Sequence, residues 1–173
     1  MAMEKGYIQV YTGNGKGKTT AALGLSLRAV CAGKKVFFAQ FVKGMRYSEL
    51  DAEKYLPGLT IKQFGRQCFI YDEPTEEDIE AAVKGLEECE RILASGEYDL
   101  VVLDEINIAL YYKLFPLDRV LSMLDKRHEK TEVVLTGRYA PQELIDRADL
   151  VTEMKEIKHY YNKGVPAREG IEK

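Results

Sequence analysis

Cysteine is scarce in this 173-residue chain, and the three present stand apart: Cys31, Cys68 and Cys89 form no CxxC pair. An odd, scattered set argues against a zinc site or a disulfide framework and favours a reducing compartment. A basic surplus is also missing. With 25 Lys and Arg against 28 Asp and Glu, the formal net charge is −3. That is the wrong sign for a general nucleic-acid binder, although it leaves room for an anionic ligand in a local basic pocket. No apolar run approaches the length of a bilayer span. The opening Met1-Ala2-Met3-Glu4-Lys5 contains neither a signal-peptide core nor an amphipathic transit segment. The expectation is a cytoplasmic protein that binds neither membrane nor nucleic acid. Internal repeats, linkers and low-complexity segments are absent too, so residues 1–173 read as one domain, large enough to bury a core.

What is present centres on Tyr11-Thr12-Gly13-Asn14-Gly15-Lys16-Gly17-Lys18-Thr19-Thr20. The apolar run from Tyr7 to Tyr11 leads into three alternating glycines, and Lys18-Thr19-Thr20-Ala21-Ala22-Leu23 opens a helix. Strand, glycine turn and helix N-terminus together make an anion trap. Glycines let backbone N–H groups turn inward, the first helical turn offers unpaired N–H groups, and the helix dipole favours negative charge. Lys18 adds a mobile cation for phosphate oxygens, and the Thr19 hydroxyl suits Mg²⁺. Counting back from Gly17-Lys18-Thr19, the usual first glycine of a P-loop falls on Thr12, and Gly13 lies one residue too close.

Strands and helices alternate along the chain. A strand at about 7–11 precedes a helix near 18–32, where Ala22, Leu25 and Ala29 face a sheet and Gly33 is the stop. Lys35–Phe41 is apolar enough for a parallel strand covered on both faces. At its carboxyl end, Gln40 and Lys43 are either phosphate-site residues or, for Lys43, a solvated strand terminus. Residues 45–57 read as a loop with a short helical turn, and Leu59–Phe64 alternates like a strand. Gly65–Pro74 carries Phe69, Ile70 and Tyr71 on a loop. Such side chains are either tucked beneath it or presented to a flat hydrophobic ligand. Thr75 is the expected N-cap of the longest helix, whose apolar face is Ile79, Ala82, Val83, Leu86 and Leu93 and whose end is Ser95-Gly96.

Tyr98–Glu105 is a buried strand that delivers Asp104 and Glu105 to its carboxyl end, the Walker B arrangement, with one acid expected at Mg²⁺. Asn107 is expected at the mouth of the same site. A helix from Leu117 to Lys126, a strand over Thr131–Gly137 and a short helix after Pro141 come next. Arg138, just past the strand, either clamps phosphate oxygens in a fork or is a surface residue. Asp149–Ile157 reads as a polar edge strand, and His159 as a solvated residue in a basic, aromatic tail. These elements define an α/β fold, a three-layer P-loop NTPase-like (RecA-like) domain with a mainly parallel sheet.

With these stretches identified, the sequence resembles the ATP:corrinoid adenosyltransferases of the BtuR/CobO type over nearly its whole length. The resemblance runs through Thr12–Thr20, Gln40-Phe41-Val42-Lys43-Gly44, Val102–Asn107 and Leu135-Thr136-Gly137-Arg138. It continues through Asp149–Met154, Lys158-His159 and Gly170-Ile171-Glu172. The three-residue gap between Gly13 and Gly17, awkward for an ordinary P-loop, is a feature of that family. The resemblance implies that cobalt(I) of a corrinoid attacks the 5′ carbon of ATP and triphosphate leaves whole. With the metal centre as nucleophile no protein base is needed, and this chain has only two His. The protein must position the reactants and stabilise the leaving group. The implied set is Gly13, Asn14, Gly15, Lys16, Gly17, Lys18, Thr19, Thr20, Gln40, Lys43, Asn107 and Arg138 for ATP, with Thr19, Glu105 and Asp104 for Mg²⁺.

The resemblance further implies an ATP reversed in its loop, an electron donor or flavoprotein reductase, and a homodimer. It aligns Phe69 and Tyr71 with a Phe-x-Trp pair that helps displace the lower axial ligand of the corrinoid. Tyr in place of Trp keeps an aromatic face and adds a hydroxyl. Some relatives carry a long leading segment over the active site, whereas about six residues precede the first strand here; the expectation is a more open corrinoid site or closure by another element. An ordinary P-loop ATPase or small-molecule kinase, with Glu105 orienting water or an acceptor, is the competing reading. A nucleotide-responsive binding module is a third.

Overall fold

A computed structural model describes residues 4–66 and 73–173. Among these residues, six strands form one sheet: β1 (Ile8–Thr12), β2 (Val36–Phe41), β3 (Leu59–Phe64), β4 (Leu100–Asp104), β5 (Glu132–Thr136) and β6 (Leu150–Glu153). The order across the sheet is β3-β2-β4-β5-β1-β6, and every pairing is parallel. The sheet is therefore wholly rather than mainly parallel, and all six carboxyl ends lie along one edge. The strands at the centre read as continuous apolar runs because both faces are covered; β2 and β4 are buried at every residue.

Alternate side chains feed two cores. Phe37, Ala39 and Phe41 of β2 point to the layer built by α2 (Glu76–Ser95), α3 (Ile106–Tyr111), α4 (Leu117–Asp125) and α5 (Gln142–Arg147). Val36 and Phe38 point the other way, to the layer of α1 (Lys18–Cys31), where Ala22 is buried and Leu25 and Ala29 pack beside it. This is the expected three-layer arrangement.

Most boundaries fall within a residue or two of the sequence reading. The loop 45–57 contains a 3-10 helix at Ser48–Lys54. Thr75 caps α2 reciprocally: its side chain accepts from the Asp78 amide, and the Asp78 carboxylate accepts from the Thr75 amide at 2.9 Å. Because Asp78 is drawn inward by that box, the buried face of α2 rotates to Asp78, Ala82, Gly85, Leu86, Cys89 and Leu93. Ile79, expected in the core, is consequently exposed. The last strand is shorter than the periodicity predicts. After the Met154 amide donates to the Thr12 carbonyl at 2.8 Å, the chain turns away from β1. No helix among the described residues is long and apolar enough to cross a membrane.

Candidate functional site

Four of the strand ends at the carboxyl edge break by the same device. Gly13 after β1, Val42 after β2, Glu105 after β4 and Gly137 after β5 have positive φ, at 97°, 60°, 60° and 130°. A left-handed valine is a costly conformation, of the kind retained where the surroundings over-determine it. These breaks turn the chain across the sheet edge, and Lys43, Glu105 and Arg138 all line one cavity of about 650 Å³. Gly15, Lys16, Gly17, Lys18, Thr19 and Thr20 form its floor.

The glycine loop is braced by β6. The Gly15 amide donates to the Met154 carbonyl at 2.6 Å. A Cβ on Gly13 would lie 2.5 Å from that same oxygen, and one on Gly15 2.6 Å from it. The spacing of these glycines therefore answers to a neighbouring backbone as well as to an anion, and the Gly15 N–H is committed to the protein. The Gly17 N-cap of α1 is left-handed and supplies no side-chain cap, so the first-turn amides keep their anion-binding character. Lys18 bends back over the loop, donating to the Gly13 and Gly15 carbonyls at 2.7 Å each. Burial lowers its ammonium below the ordinary lysine range, against the upward pull of Glu105.

Asp104 organises the opposite wall. It is fully buried; Thr19 and Thr136 donate their hydroxyls to its Oδ1 at 2.9 and 2.7 Å, and Lys43 Nζ lies 2.8 Å from its Oδ2. Thr136 in turn accepts from the Glu105 amide at 3.0 Å, pinning the turn after β4. Burial works to lower the Lys43 ammonium, but Asp104, with Glu105 and Glu49, outweighs it and leaves that group raised. The Glu105 carboxyl is raised by burial first and by repulsion from Asp104 second, with Lys43, Lys18 and Arg138 acting against the shift.

These oxygens fit Mg²⁺. A hard cation that takes one or two protein carboxylates and draws its other ligands from phosphate and water suits the Thr19 hydroxyl and Glu105. Asp104 does not line the cavity, its oxygens being taken by Thr19, Thr136 and Lys43. Among the described residues there is no group of three or more His, Cys, Asp or Glu that could hold a metal by itself.

The expected residues do not all face the cavity. Gln40 is buried, donating to Glu49 at 3.0 Å and accepting from Gln63 at 3.1 Å. Asn107 is buried rather than at the mouth; its Nδ2 donates to the Gly137 carbonyl at 2.9 Å and holds the turn that presents Arg138. Gly13 and Asn14 lie outside the cavity lining, and Phe69 and Tyr71 lie outside the described residues. Sequence reasoning gave no role to Glu172, which lines the cavity, or to Thr136 and Met154, which brace Asp104, Glu105 and Gly15 from behind it. It also expected a solvated His159, which is half-buried and lines the cavity. All four stand in stretches that carry the family resemblance, which was the one available signal.

The chain matches the family model of the ATP:corrinoid adenosyltransferase BtuR/CobO/CobP over residues 4–172. It is 37% identical over 170 residues to the corrinoid adenosyltransferase of Escherichia coli K12, covering 98% of this chain and 86% of that protein. The corrinoid adenosyltransferase CobA of Salmonella typhimurium LT2 is 38% identical over 170 residues, with the same coverage. That of Pseudomonas aeruginosa PAO1 is 36% identical over 171 residues, covering 98% of this chain and 84% of the relative. A match of this extent, on a chain whose cation-lined cavity sits at the carboxyl edge of a parallel sheet, makes the protein a member of the ATP:corrinoid adenosyltransferase BtuR/CobO/CobP family.

Proposed function

We propose that this protein transfers the 5′-deoxyadenosyl group of ATP to cobalt(I) of a corrinoid and releases intact triphosphate. In this step a cobalt–carbon bond forms, the C5′–O bond breaks, and its electron pair departs with the triphosphate. The observation that carries the reading is the convergence of Lys16, Lys18, Lys43 and Arg138 on one cavity above the glycine loop. Such a set stabilises a highly charged leaving group. The nucleophile comes with the corrinoid, so the protein has no need to activate a side chain.

In this reading Lys18 leaves the Gly13 and Gly15 carbonyls for phosphate oxygens, while Lys16 and Arg138 neutralise the outer phosphates. Thr19 and Glu105 would hold Mg²⁺, which when bound supplies further charge neutralisation on the phosphate chain. Asp104 aims Thr19, and Asn107 aims the Gly137–Arg138 turn. ATP lies reversed in the loop, with its 5′ carbon towards the corrinoid. Phe69 and Tyr71 exclude the lower axial ligand and ease reduction of cobalt(II). The whole chain acts as one adenosyltransferase domain, as a homodimer in the cytoplasm, supplied with electrons by a flavoprotein reductase or another donor.

The test is anaerobic incubation with Mg-ATP and chemically reduced cobalamin. Loss of the cobalt(I) absorption, a light-sensitive cobalt–carbon product and stoichiometric triphosphate are expected. Unchanged cobalt(I), with ADP and phosphate accumulating, would instead make the protein an ATPase or kinase. Lys18→Ala is expected to lower the rate by at least about 10²-fold.

A further inference from the structure

One wall of the cavity comes from the turn at 168–173, through Gly170, Ile171, Glu172 and Lys173. This turn reaches over the glycine loop. Ser48 Oγ donates to the Lys173 carbonyl at 3.1 Å, Lys16 Nζ donates to the Ile171 carbonyl at 3.5 Å, and Lys16 Nζ stands 3.9 Å from Glu172 Oε1. A carboxylate on the wall of an anion-binding cavity repels the ligand, so Glu172 opposes the chemistry around it.

Glu172 is fixed independently of Lys16. Arg168 donates to its Oε2 from the backbone amide at 2.9 Å and from Nε at 3.3 Å, and to its Oε1 from Nη2 at 3.1 Å. The Tyr160 hydroxyl donates to Oε1 as well. These hydrogen bonds, from Arg168 first and Tyr160 second, hold its carboxyl down to about 2, so it stays negative at any working pH. The contact with Lys16 is the loosest it makes, and the Lys16 side chain is 39% exposed and able to swing.

We propose that Glu172 is a positioning residue that competes with the phosphate chain for Lys16: a fixed counter-charge that gives the lysine up when polyphosphate binds and recaptures it when product leaves. The competition weakens triphosphate more than ATP. Breaking the C5′–O bond leaves the departing oxygen on the triphosphate, which then carries more negative charge than the same three phosphates carry within ATP. Coulomb repulsion from a carboxylate beside the site scales with that charge. The cation set that stabilises the leaving group would otherwise retain it, and Glu172 limits that retention. This inference rests on the adenosyl-transfer reading only in naming triphosphate as the product.

The experiment is calorimetric titration of the full chain with inorganic triphosphate and with Mg-ATP, without corrinoid. Wild type is compared with Glu172→Gln, Lys16→Gln and the double variant, alongside steady-state inhibition of transfer by triphosphate. Glu172→Gln is expected to bind triphosphate about two- to fivefold more tightly, as for removal of an exposed ion-pair competitor. ATP affinity changes less, and kcat does not rise. In the Lys16→Gln background the same change tightens triphosphate binding less, because the shared partner is gone and only the direct repulsion is relieved. Should Glu172→Gln not fold, Glu172→Asp, which draws the charge back by one methylene, is expected to give a smaller tightening. Unchanged or weaker triphosphate binding in these variants overturns the proposal, as does an equal tightening without Lys16. A wild type that binds both ligands but makes no adenosylated corrinoid overturns the reaction, and leaves the Lys16 competition standing on its own titrations.

Discussion

Lys43 Nζ lies 2.8 Å from Oδ2 of Asp104, a carboxylate with no exposed surface, and joins β2 to β4 at the cavity wall. Removing one partner of a buried pair leaves an uncompensated charge, which costs more than the pair itself contributes. Lys43→Met is expected to lower stability by about 2–3 kcal/mol, discounted from a fully buried pair because the lysine is partly exposed. The ammonium is raised in the folded state, so its contribution is complete below the ordinary lysine value of 10.5 and is lost as pH rises through the folded value. Urea unfolding of wild type and Lys43→Met should show a constant difference from about pH 7 to 9 that narrows at higher pH. A gap that widens with alkalinity would contradict the pairing.

Gly15 is packed against a backbone oxygen that no side-chain rearrangement can move aside. Gly15→Ala places a Cβ 2.6 Å from the Met154 carbonyl and must push the loop off β6. The expected cost is about 1–3 kcal/mol in stability. ATP affinity is expected to fall about tenfold or more, equivalent to 1.4 kcal/mol. Thermal unfolding and ATP titration measure the two separately. An unaffected ATP affinity would mean that the bracing by β6 does not shape the phosphate site.

Phe69→Ala separates the steps of the proposed reaction. If the aromatic excludes the lower axial ligand, the variant loses far more activity starting from cobalt(II) than from chemically pre-reduced cobalt(I). Paired assays from the two oxidation states check this, and equal losses would remove the axial-ligand role.

The thiols divide by burial. Cys31 is exposed, whereas Cys89 is buried in the core beneath α2, and burial pushes its thiol up, disfavouring the reactive thiolate. In a Cys68→Ser background, a thiol reagent should label one cysteine of the native protein quickly, and the second only after denaturant is added. Rapid labelling of both would mean that the core opens readily.

The strands and helices were legible because each is specified by its own residues. Val36–Phe41 and Leu100–Asp104 are apolar almost throughout, as a strand covered on two faces requires, and Thr75 with Asp78 announces a helix start within four positions. That the glycine loop, Lys43, Glu105 and Arg138 meet at one cavity follows for a similar reason. Parallel strands deliver the residues past their carboxyl ends to one edge, so position relative to a strand end predicts position at the cavity. Gln40 and Asn107 lie close to such ends yet are turned to other protein groups. No local pattern distinguishes a side chain that faces a ligand from one that supports its neighbour.

The sequence by itself determined the alternation of strand and helix, the glycine loop at the head of a helix, and the family. The first two reside in hydrophobic period and glycine placement, and the third in the likeness of whole motifs to the BtuR/CobO type. Tertiary structure alone decided that Met154 braces the glycines, that Thr136 and Thr19 converge on Asp104, and that Glu172 stands over Lys16. Lys16 and Ile171 are 155 positions apart. A contact across that distance is set by strand order and by where the chain returns after β6, neither of which is encoded by the residues at either end.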